Sequence, residues 1–135
     1  MKYYNGSFSQ PGVLNDSDPT QGGGQFTPLI PVDAYKGPSV SSVSFDDAIG
    51  QYVMVYVAGW DQDKEIGVAL RYSKDGIRWS DPSYFKVGKT AFYPAMVNAS
   101  GPDPNVLGKR FFIYYVNPFP GVQSQNLMRV LMTVK

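Results

Sequence analysis

The chain has 135 residues and a formal net charge of +1, with no cysteine and no histidine. The small net charge gives no case for a nucleic-acid partner, and the missing residue types exclude disulfides, zinc–thiolate sites and Ser-His-Asp catalysis. No apolar run reaches membrane-spanning length, and the N-terminal residues lack the apolar core of a signal peptide. Frequent Tyr, Phe, Gly and Pro, with almost no helical periodicity, predict an all-β domain without a membrane partner.

The first part of the chain, residues 1–38, predicts one short strand within Met1–Gln10, a polar linker, and a short edge strand at Gln25–Val32. A regular pattern then predicts a four-stranded antiparallel meander whose second strand is apolar on both faces: Ser39–Phe45, Gln51–Ala58, Glu65–Tyr72 and Ser83–Val87. The pattern starts again and predicts three more strands: Phe92–Asn98, Lys109–Val116 and Leu127–Val134.

This repeat has a period of roughly 55 residues, close to the length of a β-propeller blade. We therefore predict a partial propeller of about two to two and a half blades. Residues 1–38 would supply the last strand of a preceding blade and a linker, 39–87 one full blade, and 88–135 an incomplete blade. A plain β-sandwich is the alternative, and it would give each strand one polar face.

The connection between the third and fourth strands carries Asp75, Gly76 and Trp79. An Asp side chain accepts hydrogen bonds from backbone amides of its own turn, and glycine adopts the positive φ that a tight corner requires. Trp79, three residues later, is expected to fold back onto the sheet. We interpret these three residues as a structural turn.

Several ordered segments resemble the later blades of five-bladed β-propeller glycoside hydrolases, the group that contains arabinanases, xylosidases and fructosidases. The matching segments are Lys2-Tyr3-Tyr4-Asn5-Gly6-Ser7-Phe8, Gly37-Pro38-Ser39-Val40, Gln51-Tyr52-Val53-Met54, Tyr72-Ser73-Lys74-Asp75-Gly76-Ile77-Arg78-Trp79-Ser80-Asp81-Pro82 and Phe92-Tyr93-Pro94. The resemblance implies a carbohydrate-directed protein that is secreted or periplasmic. In such enzymes a general acid and a base are carboxylates around the propeller axis, and the base lies on a first blade that this chain does not contain.

In a blade, the entry to the first strand and the loop between the second and third strands lie on one side, which holds the pocket in the enzymes that the chain resembles. Trp60, with Asp61 and Asp63, offers an aromatic platform and carboxylates for a sugar, and we place Ser39 and Tyr93 at the same site. A solvated loop with a packed tryptophan is the alternative for Trp60. Glu65 is the one candidate for a general acid, and it has no visible partner carboxylate.

No cofactor is expected from the sequence. The alternative is calcium held by oxygen ligands of Asp61, Asp63 and Glu65, although their spacing is not that of a known calcium loop.

Three functions follow from these features. The first is part of a glycoside-hydrolase-like propeller that lacks the full catalytic carboxylate set by itself, so whether the chain is an enzyme stays open. The second is a non-catalytic sugar-binding or scaffold protein that completes a propeller by self-association through open blade faces. The third is a sialidase-like enzyme. Two features disfavour it: sialidase hairpins of this kind have one more residue between Asp and Gly, and the chain has few arginines to bind a carboxylate sugar. These arginines are Arg71, Arg78, Arg110 and Arg129.

Overall fold

A computed structural model of the chain describes residues 2–3, 7, 10–11, 39–58, 67–87, 91–118 and 125–134. Every regular element in these ranges is a β-strand, which confirms the all-β prediction. The strands are β1 (Lys2–Tyr3), β2 (Gln10–Pro11), β3 (Ser39–Asp46), β4 (Gln51–Ala58), β5 (Gly67–Ser73), β6 (Ser83–Phe85), β7 (Phe92–Asn98), β8 (Val106–Leu107), β9 (Arg110–Pro118) and β10 (Gln125–Thr133). Within the same ranges, no helix has the length and apolarity that crossing a membrane requires.

Two antiparallel sheets make up most of the described structure. The first sheet has the strand order β6-β5-β4-β3-β8, and its strands β3 to β6 form the predicted meander. The second sheet has the order β10-β9-β7 and is antiparallel throughout. A separate pair, β1 with β2, is also antiparallel. The antiparallel meanders are therefore confirmed, with β6 ending two residues before its predicted end at Val87.

Strand β8 lies between the predicted strands Phe92–Asn98 and Lys109–Val116, where the sequence analysis predicted no strand. It lies between β7 and β9 in the chain, but it pairs in parallel with β3 of the first sheet, Phe45 opposite Val106 and Asp46 opposite Leu107. The backbone amide of Asp47 also donates to the carbonyl of Leu107 at 3.0 Å. The second sheet is thus joined to the edge of the first by main-chain hydrogen bonds.

The main core lies between the two sheets. One face of β4 and β5 packs against one face of the second sheet, and the buried contact residues are Val53, Val55, Val68, Leu70, Ala91, Met96, Leu107, Phe111, Ile113 and Tyr115. The opposite face of β4 is buried as well, in a smaller cluster of Met54, Tyr56, Ala58 and Ala69, onto which Trp79 packs. Burial on both faces explains why β4 carries no polar alternation.

The register gives the first sheet two distinct ends. At one end, which we call the entry end, Ser39 lies opposite Val57, and Val68 opposite Phe85. At the other, the corner end, Asp46 lies opposite Gln51, and the β5–β6 connection begins. This connection carries the predicted Asp75–Gly76 turn.

The second sheet is aligned with the first. Its Phe92–Val116 end lies beside the entry end, because the Tyr115 hydroxyl donates to the Val87 carbonyl at 3.0 Å, just beyond β6. Its Asn98 end leads into β8, which pairs at the corner end. Ser39 and Phe92, the first residues of β3 and β7, therefore lie at the same end of the two-sheet unit.

Candidate functional site

Four of the predicted site residues lie outside the described part of the chain. They are Trp60, Asp61, Asp63 and Glu65, so the sugar platform, the general-acid hypothesis and the calcium alternative stay predictions. In the described ranges, no group of three or more His, Cys, Asp or Glu side chains is arranged to hold a metal ion. Ser39 and Tyr93 are described, and both lie at the entry end.

The first strands of the two meanders share an irregularity at the entry end. In β3 the register shifts between Ser39 and Ser41, and in β7 it shifts between Phe92 and Ala95. Across each shift, the first strand of the meander has one residue more than the strand that it pairs with. Such an extra residue defines a β-bulge. Bulges of this kind redirect side chains and are frequent beside functional sites. The entry end therefore has the same backbone feature in both repeats.

Tyr93 lies within the second bulge and has an unusual backbone conformation. Its φ is +51°, and it is the one non-glycine residue with positive φ in the described ranges. For a bulky side chain this conformation is an outlier, and the buried Pro94 that follows makes it more so, because a residue before proline favours extended conformations. Conformations of this kind persist where the surrounding structure enforces them, and they cluster at functional sites.

The ring of Tyr93 faces solvent. Its side chain is 64% exposed, and its ring lies tilted beside that of Phe92, with the centroids 6.3 Å apart. Phe92 is half-buried. Two adjacent aromatic rings, one of them mostly open to solvent, form a surface suited to the apolar face of a sugar ring.

At the corner end, Asp75 organises the turn between β5 and β6. Its Oδ1 accepts from the backbone amides of Ile77 and Arg78, at 2.9 and 2.8 Å, and from the hydroxyl of Ser73 at 3.1 Å. The amide of Arg78 first, and then that of Ile77, lowers the pKa of the Asp75 carboxyl because both stabilise its ionised form. The Asp75 carboxylate therefore serves its own turn.

Gly76 and Trp79 complete this corner. Gly76 has φ +74°, in the left-handed region that glycine adopts without strain. The indole Nε1 of Trp79 donates to the Gly76 carbonyl at 3.2 Å, while the ring packs on the smaller buried cluster. This geometry uses the three residues of the predicted structural turn for local backbone hydrogen bonds and packing.

Arg71 holds the two sides of the corner together. It is 6% exposed, its Nε donates to the hydroxyl of Tyr56, and one terminal nitrogen donates to the Ser80 carbonyl at 2.8 Å. Its guanidinium also lies 5.9 Å from the centroid of the Tyr56 ring. A buried arginine with these partners is a structural link and does not face a solvent-exposed site.

A shallow cavity of about 300 Å³ opens at the corner end. Its lining combines side chains from β4, β5 and the turn: Gln51, Tyr72, Ser73, Lys74, Asp75 and Arg78. Ser73 is buried, whereas Lys74, Asp75 and Arg78 are exposed at the rim. Burial raises the pKa of the Tyr72 hydroxyl, and the nearby charge of Asp46 adds to this effect.

Asp46 is buried close to this cavity. Its side chain is 0% exposed, and its Oδ1 accepts from the Ala48 amide at 2.9 Å. Its Oδ2 is buried and has no hydrogen-bond partner among the described residues. Burial raises the pKa of the Asp46 carboxyl, although the amides of Ala48 and Ile49 act in the opposite direction. The neutral acid is therefore favoured relative to a solvated aspartate.

The sequence analysis did not assign Gln51, Tyr72, Lys74 and Arg78 to a site. One sequence feature could have indicated this cavity. Successive connections of an antiparallel meander alternate between the two ends of the sheet, so the β3–β4 and β5–β6 turns lie at the same end. Comparisons with protein-family models, with curated proteins and with solved structures give no match to this chain. The functional argument therefore depends on the geometry and on the sequence resemblance given above.

Proposed function

We propose that this chain is part of a carbohydrate-directed β-propeller, in which the first and second sheets are successive blades. The antiparallel order of both meanders supports this proposal, as does the burial of β4 on two faces, which a blade between neighbours requires. The face-to-face packing of the sheets supports it further. The chain is proposed to bind sugars and not to hydrolyse glycosides by itself, because the sequence places no partner carboxylate at a defined position for Glu65, its one candidate general acid.

Tyr93 is the observation that carries the sugar-binding part of the proposal. Its exposed aromatic ring lies on a bulged strand, and its strained backbone conformation lowers the stability of the fold. Strained residues of this kind cluster at functional sites. Its position at the entry end, where a propeller enzyme has its pocket, fits a stacking contact with a sugar. Ser39 begins the equivalent strand of the first sheet at this end. We propose that Trp60, Asp61 and Asp63, which lie between β4 and β5 in the chain, also contribute to sugar binding.

Calorimetric titration with arabinan, xylan and fructan oligosaccharides tests this proposal. We expect one of these oligosaccharide classes to bind, and both Tyr93→Ala and Trp60→Ala to weaken that binding by about tenfold or more, as the loss of a stacking contact requires. Tyr84→Ala is the matched control. Tyr84 is an exposed tyrosine opposite Ala69, whose side chain belongs to the smaller buried cluster on the sheet face away from the second sheet, so Tyr84 does not face the sheet that carries Tyr93. Binding that survives both substitutions would contradict the proposal.

Catalytic activity needs a separate measurement. The purified chain should release no product from a panel of aryl glycosides. Turnover that Glu65→Gln abolishes would instead make the chain an enzyme by itself, with Glu65 as the general acid.

The second candidate function is a scaffold that completes a propeller by self-association. Strand β10 pairs with β9 along one edge and has no described partner along the other. It carries exposed apolar side chains: Leu127 at 71%, Met128 and Leu131. Long edge strands with exposed apolar residues pair readily with another chain. Light scattering that gives a stable dimer or larger symmetric oligomer, dissociated by Leu127→Lys, supports this candidate, whereas a monomer contradicts it.

The local contacts of two arginines of this chain disfavour the sialidase-like alternative. Arg71 is buried against Tyr56 and Ser80, and the guanidinium of Arg129 lies 4.8 Å from the centroid of the Phe112 ring. These two arginines lie on different sheets, in separate local contacts, so they do not form the cluster that a carboxylate sugar requires.

A further inference from the structure

The cavity at the corner end is remote from the proposed sugar site, and none of the proposed functions uses it. We propose that it binds a small oxyanion, a carboxylate or a phosphate group, through the cationic side chains of Lys74 and Arg78. This site is independent of the sugar site at Tyr93, which lies at the opposite end of the two-sheet unit.

The two cations are available for a ligand. Lys74 and Arg78 are exposed at the rim of the cavity, and neither forms an ion pair with any described residue. The Asp75 carboxylate lines the same cavity, and its Oδ1 is already an acceptor for the Ile77 and Arg78 amides and the Ser73 hydroxyl. The amides of Arg78 and Ile77 are the main causes of the lowered pKa of the Asp75 carboxyl, and the Arg78 charge is the smallest, so the attraction between this carboxylate and the guanidinium is a minor effect.

The cavity wall supplies further donors in fixed positions. Tyr72 is half-buried with its ring against the main core, and Gln51 is half-buried beside it. Neither the Tyr72 hydroxyl nor the Gln51 amide has a hydrogen-bond partner within the described residues. Both can donate to a ligand, as can the ammonium and guanidinium groups at the rim. Four side chains of the cavity therefore offer donors beside the single carboxylate of Asp75, which suits an oxyanion with several acceptor lone pairs.

Two carboxyl groups oppose an anion, Asp75 and Asp46. Asp75 lines the cavity and its lowered pKa favours the charged form, but the two cations of Lys74 and Arg78 outnumber it there. Asp46 lies opposite Gln51 in the sheet and does not line the cavity. The turn that carries the two cations is rigid, because Ser73, Asp75 and Trp79 fix its backbone through the hydrogen bonds described above. Preorganised donors around a polar cavity are the usual form of a small-ligand site.

Amide NMR titrations of the full chain test this site with three probes: glucuronate, inorganic phosphate and neutral glucose. We expect glucuronate or phosphate to shift the amides of residues 72–78, and glucose to leave them unchanged. A response to glucuronate alone identifies a carboxylate site, and a response to phosphate alone identifies a phosphate site. No shift with either oxyanion overturns the proposal, and so does an equal response to glucose.

Substitutions identify the groups responsible. Arg78→Gln and Lys74→Gln should each weaken oxyanion binding by about tenfold, the usual loss for one charge-assisted hydrogen bond. Lys86→Gln is the control, since Lys86 is an exposed cation just beyond β6, at the entry end of the same sheet. An equal effect of all three substitutions would show non-specific charge attraction and contradict the site. Because Tyr93→Ala should leave this binding unchanged, the result is separable from that of the sugar titration.

Discussion

The backbone at Tyr93 gives a stability prediction that can be worked from its geometry. At φ +51° a side chain with a Cβ atom costs roughly 1–2 kcal/mol, and glycine avoids this cost. Glycine in turn loses about 0.5–1 kcal/mol more conformational entropy on folding than alanine. The difference of the two ranges is about 0–1.5 kcal/mol, and its middle value predicts that Tyr93→Gly is more stable than Tyr93→Ala by about 0.75 kcal/mol. The loss of the ring is the same in both variants and cancels from the comparison.

Urea denaturation, followed by tryptophan fluorescence, measures this difference as the free energy of unfolding. Trp79 reports on the packed structure, since it lies against a buried cluster. Tyr84 provides the control, because it is also exposed but has an ordinary backbone conformation. There the order should reverse, with Tyr84→Ala more stable than Tyr84→Gly by about 0.5–1 kcal/mol. The same order at both positions would refute the argument that Tyr93 is strained.

Three further substitutions test other parts of the structure. In a urea titration, Gly67→Ala should lower the free energy of unfolding by about 1–3 kcal/mol, because the added Cβ would lie 2.5 Å from the Phe85 carbonyl oxygen. Asn98→Asp should cost about 1–3 kcal/mol in the same assay, because it removes the donor to the Val106 carbonyl. The raised pKa of Asp46 predicts that stability falls as pH rises from about 3.8 through the folded-state pKa, and Asp46→Asn should remove this fall in a series of pH-dependent melts.

Each of these substitutions has a matched control in the chain. Gly50→Ala meets no atom within 4 Å, so its cost should come only from its positive φ and be smaller than that of Gly67→Ala. Asn105→Asp changes an exposed asparagine of the same loop as Asn98 and should leave stability nearly unchanged. Asp81→Asn changes an exposed aspartate of the β5–β6 connection, which does not contribute to the raised pKa of Asp46, and should keep the wild-type pH dependence. Equal effects within any pair would contradict the corresponding argument.

The two meanders could be predicted because their strands have strong local signals. After its first residue, strand β4 is an uninterrupted apolar run, and the structure buries both of its faces. The Asp75–Gly76 corner has turn residues whose side-chain and backbone preferences are local. Such signals need no knowledge of the rest of the fold.

Other features depend on tertiary contacts and had no local signal. Strand β8 is two residues in a loop rich in Pro, Gly, Asp and Asn, and its pairing exists only because β3 offers a free edge. A tyrosine gives no indication that its φ is positive, so the strain at Tyr93 was not predicted. The corner cavity arises from the register that brings Gln51 beside the β5–β6 turn, and short-range pattern does not specify that register.

The most direct test of the central claim is an amide NMR titration with whichever oligosaccharide binds. The account predicts the largest chemical-shift changes at residues 91–95 and at the start of β3, with residues 72–78 unchanged. It also predicts that Tyr93→Ala removes these changes while Tyr84→Ala preserves them. Shifts confined to the corner end, or no shift with any oligosaccharide, would contradict a sugar site at the entry end.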